Sequence, residues 1–337
     1  MRRIPDLFDR MTSFATLCHA ARLAARRKRN RPDIAGFLLR IEPEVLQLQD
    51  ELRGGTYRPS PFTTFTIKDP KERLICAAPF RDRVVHHALC DTFEPFLDKQ
   101  LIEDSYACRK DKGTHAALAR CKQFAADGGW FLKCDVAKYY DSVDHGLLLR
   151  QLRQRFKGRR LLELFAVILA HQPPGALPGK GLPIGNFTSQ HFANLYLDGL
   201  DRLVKQRLRI RRYLRYMDDF VLFSSDPDEL RRARRLIVQY LADERALALK
   251  ERATLLSPVR RGVPVLGFSV YPRLVRVRRP NLRRSVRRLR FRVRQHISGK
   301  IPPEVFAQSV RSILEHLSHG HTRGLRLRVL SDQGVIA

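Results

Sequence analysis

Leu214-Arg215-Tyr216-Met217-Asp218-Asp219-Phe220-Val221-Leu222-Phe223 contains two short apolar runs, Leu214 to Tyr216 and Phe220 to Phe223, facing each other across Met217, Asp218 and Asp219. Apolar runs of this length separated by a polar turn read as a β-hairpin, here with acids at its turn. Aspartate at a turn often does no more than hydrogen-bond its own backbone, so the pair takes its meaning from what lies nearby. Phe131-Leu132-Lys133-Cys134-Asp135-Val136 is another short run that suits a buried strand. Its Asp135 ends the strand where the hairpin could pair beside it, which brings three carboxylates towards one point.

The rest of the composition narrows what those acids face. The 337 residues exceed a single core of ~100–200 residues, and 44% hydrophobic content is enough to fold. The formal net charge is +30, from 64 Lys and Arg against 34 Asp and Glu. An excess of that size points to a polyanionic partner, phosphate backbones first among them. Arginine is also clustered, with eleven between Arg273 and Arg294. No apolar stretch of about 18 residues could span a bilayer, and the first residues do not lead into a secretory segment; the expectation is a cytoplasmic protein with no membrane partner. Cys18, Cys76, Cys90, Cys108, Cys121 and Cys134 lack the spacing of a zinc ribbon or a disulfide framework and read as ordinary thiols.

Helical spacing through Leu7, Phe14, Leu17 and Leu23, a basic break at Arg26 to Arg29, and a second helical run from Ile34 to Leu52 ending at Gly54 and Gly55 describe the first segment. Residues 62–76 read as a hairpin with a turn at Asp69 and Pro70, decorated by Lys68, Lys71 and Arg73. Helices are expected from about His145 and over Pro227 to Leu241, the latter capped by Asp226 or Asp228. Strand signals follow at Val263 to Tyr271, and an arginine-rich helical region runs from Pro280.

Tyr216-Met217-Asp218-Asp219 between two strands resembles the signature box of reverse transcriptases, and Asp135 followed by Tyr140 resembles their first metal box. Nucleotidyl transfer uses two hard cations, one at the attacking 3′-hydroxyl and one at the leaving pyrophosphate, and hard cations take carboxylate oxygens. The resemblance therefore implies two Mg2+ ions, with Mn2+ able to substitute, held by Asp135, Asp218, Asp219 and the Val136 carbonyl. Further stretches in the family's order cover residues 56 to 330. Lys68 and Arg73 fall where that family binds the incoming triphosphate, arginine as a fork and lysine as a point charge. Tyr140 falls on the gate against a ribose 2′-hydroxyl, implying deoxynucleoside triphosphates. Tyr216 and Met217, with Val265-Leu266-Gly267-Phe268 as a primer-grip hairpin, fall on the primer and template side. Lys250 and Arg252 are alternatives for the group that protonates pyrophosphate.

The implied fold class is α+β, a right-hand polymerase: an N-terminal helical extension (1–55), fingers (56–130), a palm of antiparallel sheet backed by helices (131–270, with part of the fingers inserted around 145–185), and a short basic helical thumb (271–337), without an RNase H domain. Gly181-Leu182-Pro183-Ile184-Gly185-Asn186-Phe187-Thr188-Ser189-Gln190 speaks to subtype, since most reverse transcriptases have Gln at the position of Ile184 and Pro at that of Gln190. Both departures resemble the enzymes of diversity-generating retroelements, as do Arg81 to Leu89, Tyr106 to Arg109 and Lys112 to His115. The implied activity is adenine-mutagenic cDNA synthesis from a template-repeat RNA, with a small basic accessory variability protein as partner. An aliphatic Ile184 removes hydrogen bonds that would help discriminate base-pair geometry. Group II intron-like and defence-associated reverse transcriptases are the alternative within the class, and a catalytically silent RNA-binding protein is the alternative outside it.

Overall fold

The computed structural model describes residues 3–68 and 72–332. The expected turn at Asp69 and Pro70, with Lys71, lies outside them. In chain order the elements are α1 (Phe8–Met11), α2 (Phe14–Ala24), α3 (Pro32–Leu39), α4 (Ile41–Arg53), β1 (Thr63–Ile67), β2 (Arg73–Ala77), α5 (Phe80–Asp98), α6 (Thr114–Ala126) and β3 (Trp130–Asp135). They continue through α7 (Tyr139–Ser142), α8 (His145–Arg155), α9 (Arg159–Ala170), α10 (Phe187–Tyr196), α11 (Asp198–Arg202), β4 (Tyr213–Tyr216), β5 (Asp219–Ser224) and α12 (Pro227–Arg245). The last are β6 (Leu255–Pro258), β7 (Val263–Val265), β8 (Phe268–Val270), β9 (Val275–Val277), α13 (Arg279–Ile297), α14 (Pro303–Ser318) and α15 (Arg323–Ser331).

Local chemistry explains most boundaries. Ser13 caps α2 by accepting from the Thr16 N–H at 3.3 Å, and Asp226 caps α12 by accepting from Asp228 and Glu229 at 2.8 and 3.1 Å. The run expected to be one helix from Ile34 to Leu52 is two, broken at Arg40 (φ −115°, ψ 34°). Gly55 follows the second at φ 72°. The sequence reading does not anticipate β9, where Val275 and Val277 alternate with the exposed Arg276 at period two.

Among the described residues three antiparallel sheets result: β1-β2, a central β4-β5-β3-β6, and β7-β8-β9. The central sheet is covered on both faces, which is why its strands read as nearly continuous apolar runs. Leu132, Cys134, Tyr213, Phe220 and Leu222 belong to the larger core with α5, α9, α10 and α12. Phe131, Leu214, Val221 and Phe223 belong to a second core with α6 and β7 to β9. Each such ring or branched chain is worth about 1.5–3 kcal/mol when fully buried.

The C-terminal helices have a small core of their own around Leu289, Ile313, Leu317, Val329 and Leu330. They are tied to the second core where His321 and Val275 exchange hydrogen bonds, His321 N–H to Val275 O at 2.8 Å and Val275 N–H to His321 Nδ1 at 3.0 Å. The ring of His319 lies against that of His115, centroids 3.4 Å apart and planes tilted by 30°. Six arginines of α13, among them Arg283, Arg287 and Arg290, are exposed. No helix among the described residues is long and apolar enough to cross a membrane, and the six cysteines are unpaired.

Candidate active site

The antiparallel register sets Asp135, the last residue of β3, opposite Asp219, the first of β5. Tyr216 is opposite Asp219 on the other side, so the hairpin turns on Met217 and Asp218 alone. Asp219 therefore belongs to a strand and only Asp218 to the turn. A two-residue hairpin turn asks for positive φ, and Met217 supplies it at 58°. The chain after Asp135 is laced on both sides: the Val136 N–H donates to Asp218 O at 3.2 Å, the Ala137 N–H to Ala248 O at 2.9 Å, and the Lys250 N–H to Asp135 O at 2.8 Å. Lys250 is thus held beside the first acid, half-buried, while Arg252 sits exposed in the one-turn helix Glu251–Ala253.

Burial pushes the Asp218 carboxyl above its ordinary range, and the charge of Asp135 adds to it against the opposing Arg73 and Lys133. Asp219 is pushed up to about 6, by burial first and by Asp135 and Asp218 besides, with Lys133 pulling the other way. Lys133 Nζ lies 2.5 Å from Asp219 Oδ1. The charge of Asp135 thus works against ionisation of both Asp218 and Asp219, and the oxygens of these acids are the hard donors that divalent cations take. Among the described residues no group of three or more His, Cys, Asp and Glu side chains is arranged to hold a metal ion as it stands, and Lys133 occupies one oxygen of Asp219.

Of the other expected residues, Arg73 and Tyr140 are tied to this point. Arg73 opens β2, exposed, and is near enough for its charge to act on Asp218 and Tyr140; Lys68 follows β1, exposed. The Tyr140 hydroxyl points to Met217 Sδ at 3.8 Å. Its backbone carbonyl accepts from the Leu182 N–H at 2.7 Å, which joins it to the 181–190 box. That box is docked on β2, since Ile184 O accepts from the Cys76 N–H at 2.8 Å and Asn186 Oδ1 from the Ala78 N–H at 3.3 Å. Gly185 has φ 118°, and a Cβ there would meet Ile75 Cγ2 at 2.9 Å. Gln190 lies half-buried in the first turn of α10.

Tyr216 is half-buried with its hydroxyl 3.3 Å from Thr114 Oγ1. Leu266 and Gly267 form the β7–β8 turn at φ 47° and 90°. A Cβ on Gly267 would lie 2.2 Å from Asn281 Nδ2, so a larger residue at this left-handed position would also push the Asn281 side chain of α13 aside. Phe268 is 1% exposed, its ring a part of the second core.

Sequence reading misses two features. Lys133 shares a strand face with Asp135 two residues on, a signal that was available. Arg215 stands inside a run read as apolar, yet it is fully buried and paired with the fully buried Asp201 of α11.

The chain matches the family of reverse transcriptases (RNA-dependent DNA polymerases) over residues 67–270. It is 28% identical over 222 residues to Protein YkfC of Escherichia coli (strain K12), covering 61% of this chain and 58% of that protein. It is 25% identical over 175 residues to the group II intron-encoded protein LtrA of Lactococcus lactis subsp. cremoris, covering 49% of this chain and 29% of LtrA. The chain thus spans well under two thirds of either relative. A telomerase structure from Candida tropicalis, in complex with a fragment of telomeric RNA, superimposes with a TM-score of 0.54 at 11% identity, covering 82% of this chain and 55% of the other. The shared architecture is the right-hand polymerase fold.

Proposed function

Because the chain belongs to the reverse transcriptase (RNA-dependent DNA polymerase) family, we propose that it extends a DNA primer on an RNA template with deoxynucleoside triphosphates. The observation that carries this reading is the register pairing of Asp135 with Asp219 beside the Asp218 turn. In the reaction the primer 3′-hydroxyl releases its proton to solvent as its oxygen forms a bond to the α-phosphorus, the α–β bridging bond breaks, and pyrophosphate leaves. Divalent cations, when bound, activate the hydroxyl and neutralise charge on the leaving group. Asp135, Asp218, Asp219 and the Val136 carbonyl would hold them. Arg73 and Lys68 bind the triphosphate, and Tyr140 packs against the sugar where a 2′-hydroxyl would sit. Lys250, fixed beside Asp135, is the better placed of the two basic groups to give pyrophosphate its proton. Leu266 and Gly267 support the primer strand through backbone, and the exposed arginines of α13 follow duplex phosphates without reading sequence. On this reading the fingers span 56–130, the palm 131–270 and the thumb starts at 271.

The finer reading is error-prone copying of a template-repeat RNA, as in diversity-generating retroelements, assisted by a small basic accessory protein. It is supported by Ile184 and Gln190 in the box that docks on β2. A second reading, a group II intron-type reverse transcriptase, is favoured by the likeness to LtrA. Extension of a primed RNA by purified protein with magnesium, with product sequencing, tests both. DNA from wild type but not from Asp218→Asn supports the polymerase. Errors concentrated opposite template adenines support the first subtype, accurate DNA the second, and RNA binding without extension would leave only a binding protein.

A further inference from the structure

The Met217–Asp218 turn is held from its core side by a fully buried cation, the Arg215 guanidinium. Arg215 alternates with Tyr216 on β4, so its side chain enters the larger core rather than the cleft. There its Nη1 donates to the Met217 carbonyl at 3.0 Å and to Asn194 Oδ1 at 3.2 Å. Nη2 donates to Asp201 Oδ2 at 2.7 Å and to Asn194 O at 3.3 Å, and Nε donates to Asp201 Oδ1 at 2.7 Å. All five N–H bonds of a guanidinium are thereby used. Asp201 is fixed in turn by the Tyr213 hydroxyl at 2.7 Å, and β4 by the Arg215 N–H to Asp104 O at 2.9 Å.

We propose that Arg215 is a positioning residue for polymerisation, locking the Met217 carbonyl so that Asp218 is presented to the cations. The proposal rests on reading Asp218 as a cation ligand. Met217 keeps a left-handed φ of 58°, a state a non-glycine residue holds only where its surroundings enforce it. The Met217 carbonyl is the bond immediately before Asp218, so its orientation sets where the Asp218 Cα–Cβ vector points. Asn194 and Asp201 come from α10 and α11, and the planar fork is the device that ties both helices to one carbonyl. Lysine has three donors on a single point and cannot span that set.

A buried ion pair is also compatible with a role in folding alone, and apolar replacement of both partners can leave stability intact. The test therefore compares R215M/D201L and Arg215→Lys with wild type and Asp218→Asn. It measures thermal unfolding, affinity for a primed RNA template, and kcat and KM for single-nucleotide addition. The expected result is a folded protein with template affinity and KM within about threefold of wild type and kcat lower by about 100-fold, the loss that a misplacement near 1 Å brings. A folded R215M/D201L that keeps wild-type kcat overturns the proposal. Failure of both variants to fold also overturns it, by making Arg215 a folding residue. An Asp218→Asn enzyme as active as wild type removes the underlying reading of the acid itself, a separate result.

Discussion

Lys133 and Asp219 form a cross-strand ion pair, Nζ to Oδ1 at 2.5 Å, inside a cluster of three carboxylates. The ammonium is the counter-charge of the cluster when no divalent cation is present. Lys133→Met should lower the melting temperature of the metal-free protein by about 1–2 °C, as expected for the loss of roughly 1 kcal/mol in a chain of this size. It should also enlarge the stabilisation that magnesium gives, because a competitor for Asp219 is gone. Thermal melts with magnesium and with chelator check both, and an unchanged magnesium increment would mean that Lys133 does not compete with the cations.

The acid limb of activity should fall through about pH 6, where Asp219 takes up its proton, because a proton and a cation compete for the same oxygen. More magnesium should move that limb to lower pH. The sign for stability is opposite: a carboxyl raised above its unfolded value near 3.9 favours the metal-free fold at low pH and gives that contribution up as pH rises through about 6. An activity profile that follows an ordinary carboxylate near pH 4, whatever the magnesium level, would remove Asp219 from the site.

Asp135→Asn and Asp218→Asn should each lower single-nucleotide addition by about 10³-fold or more, since each removes an anionic ligand whose cation supplies several kcal/mol of transition-state stabilisation. Binding of primed template should remain near wild type, because phosphate contacts come from the basic surface. A filter-binding assay run beside the extension assay separates the two.

Arg73→Lys should raise KM for the nucleotide by about 10-fold with a smaller effect on kcat, since a point charge replaces a bidentate fork. Steady-state kinetics at saturating template measure this. A change in kcat alone would assign Arg73 to the chemical step.

Ile184→Gln should reduce misincorporation opposite template adenines and leave the rate of correct addition within about threefold, because an amide restores hydrogen bonding near the nascent pair. Sequencing of products from the two enzymes is the check. An unchanged spectrum would separate infidelity from this side chain.

Much of this was legible in the sequence because the central strands are buried on both faces and their acids break an otherwise apolar pattern. Asp135, Asp218 and Asp219 stood out for that reason, as did the hairpins around them. What stayed hidden depended on register and on side chains crossing between elements. Lys133 acquires its role only when β3 and β5 pair with Asp135 opposite Asp219. Arg215 looked like an interruption in an apolar run because its partners, Asn194 and Asp201, lie 21 and 14 residues away. The break at Arg40 and the strand β9 were missed because periodicity over so few residues does not distinguish one element from two, or a strand from the arginine-rich segment that follows it.

The hydrogen bond from Cys76 to Ile184 makes β2 and the 181–190 box a single lever. Arg73 stands at one end of that lever and Ile184 at the other, so on the proposed reading a triphosphate that draws the hairpin inward would also shift the surface against which the new base pair is judged. Selectivity would then follow the lever's angle. On that reading a substitution at Ile75, whose side chain packs against Gly185, would change accuracy along with one at Ile184.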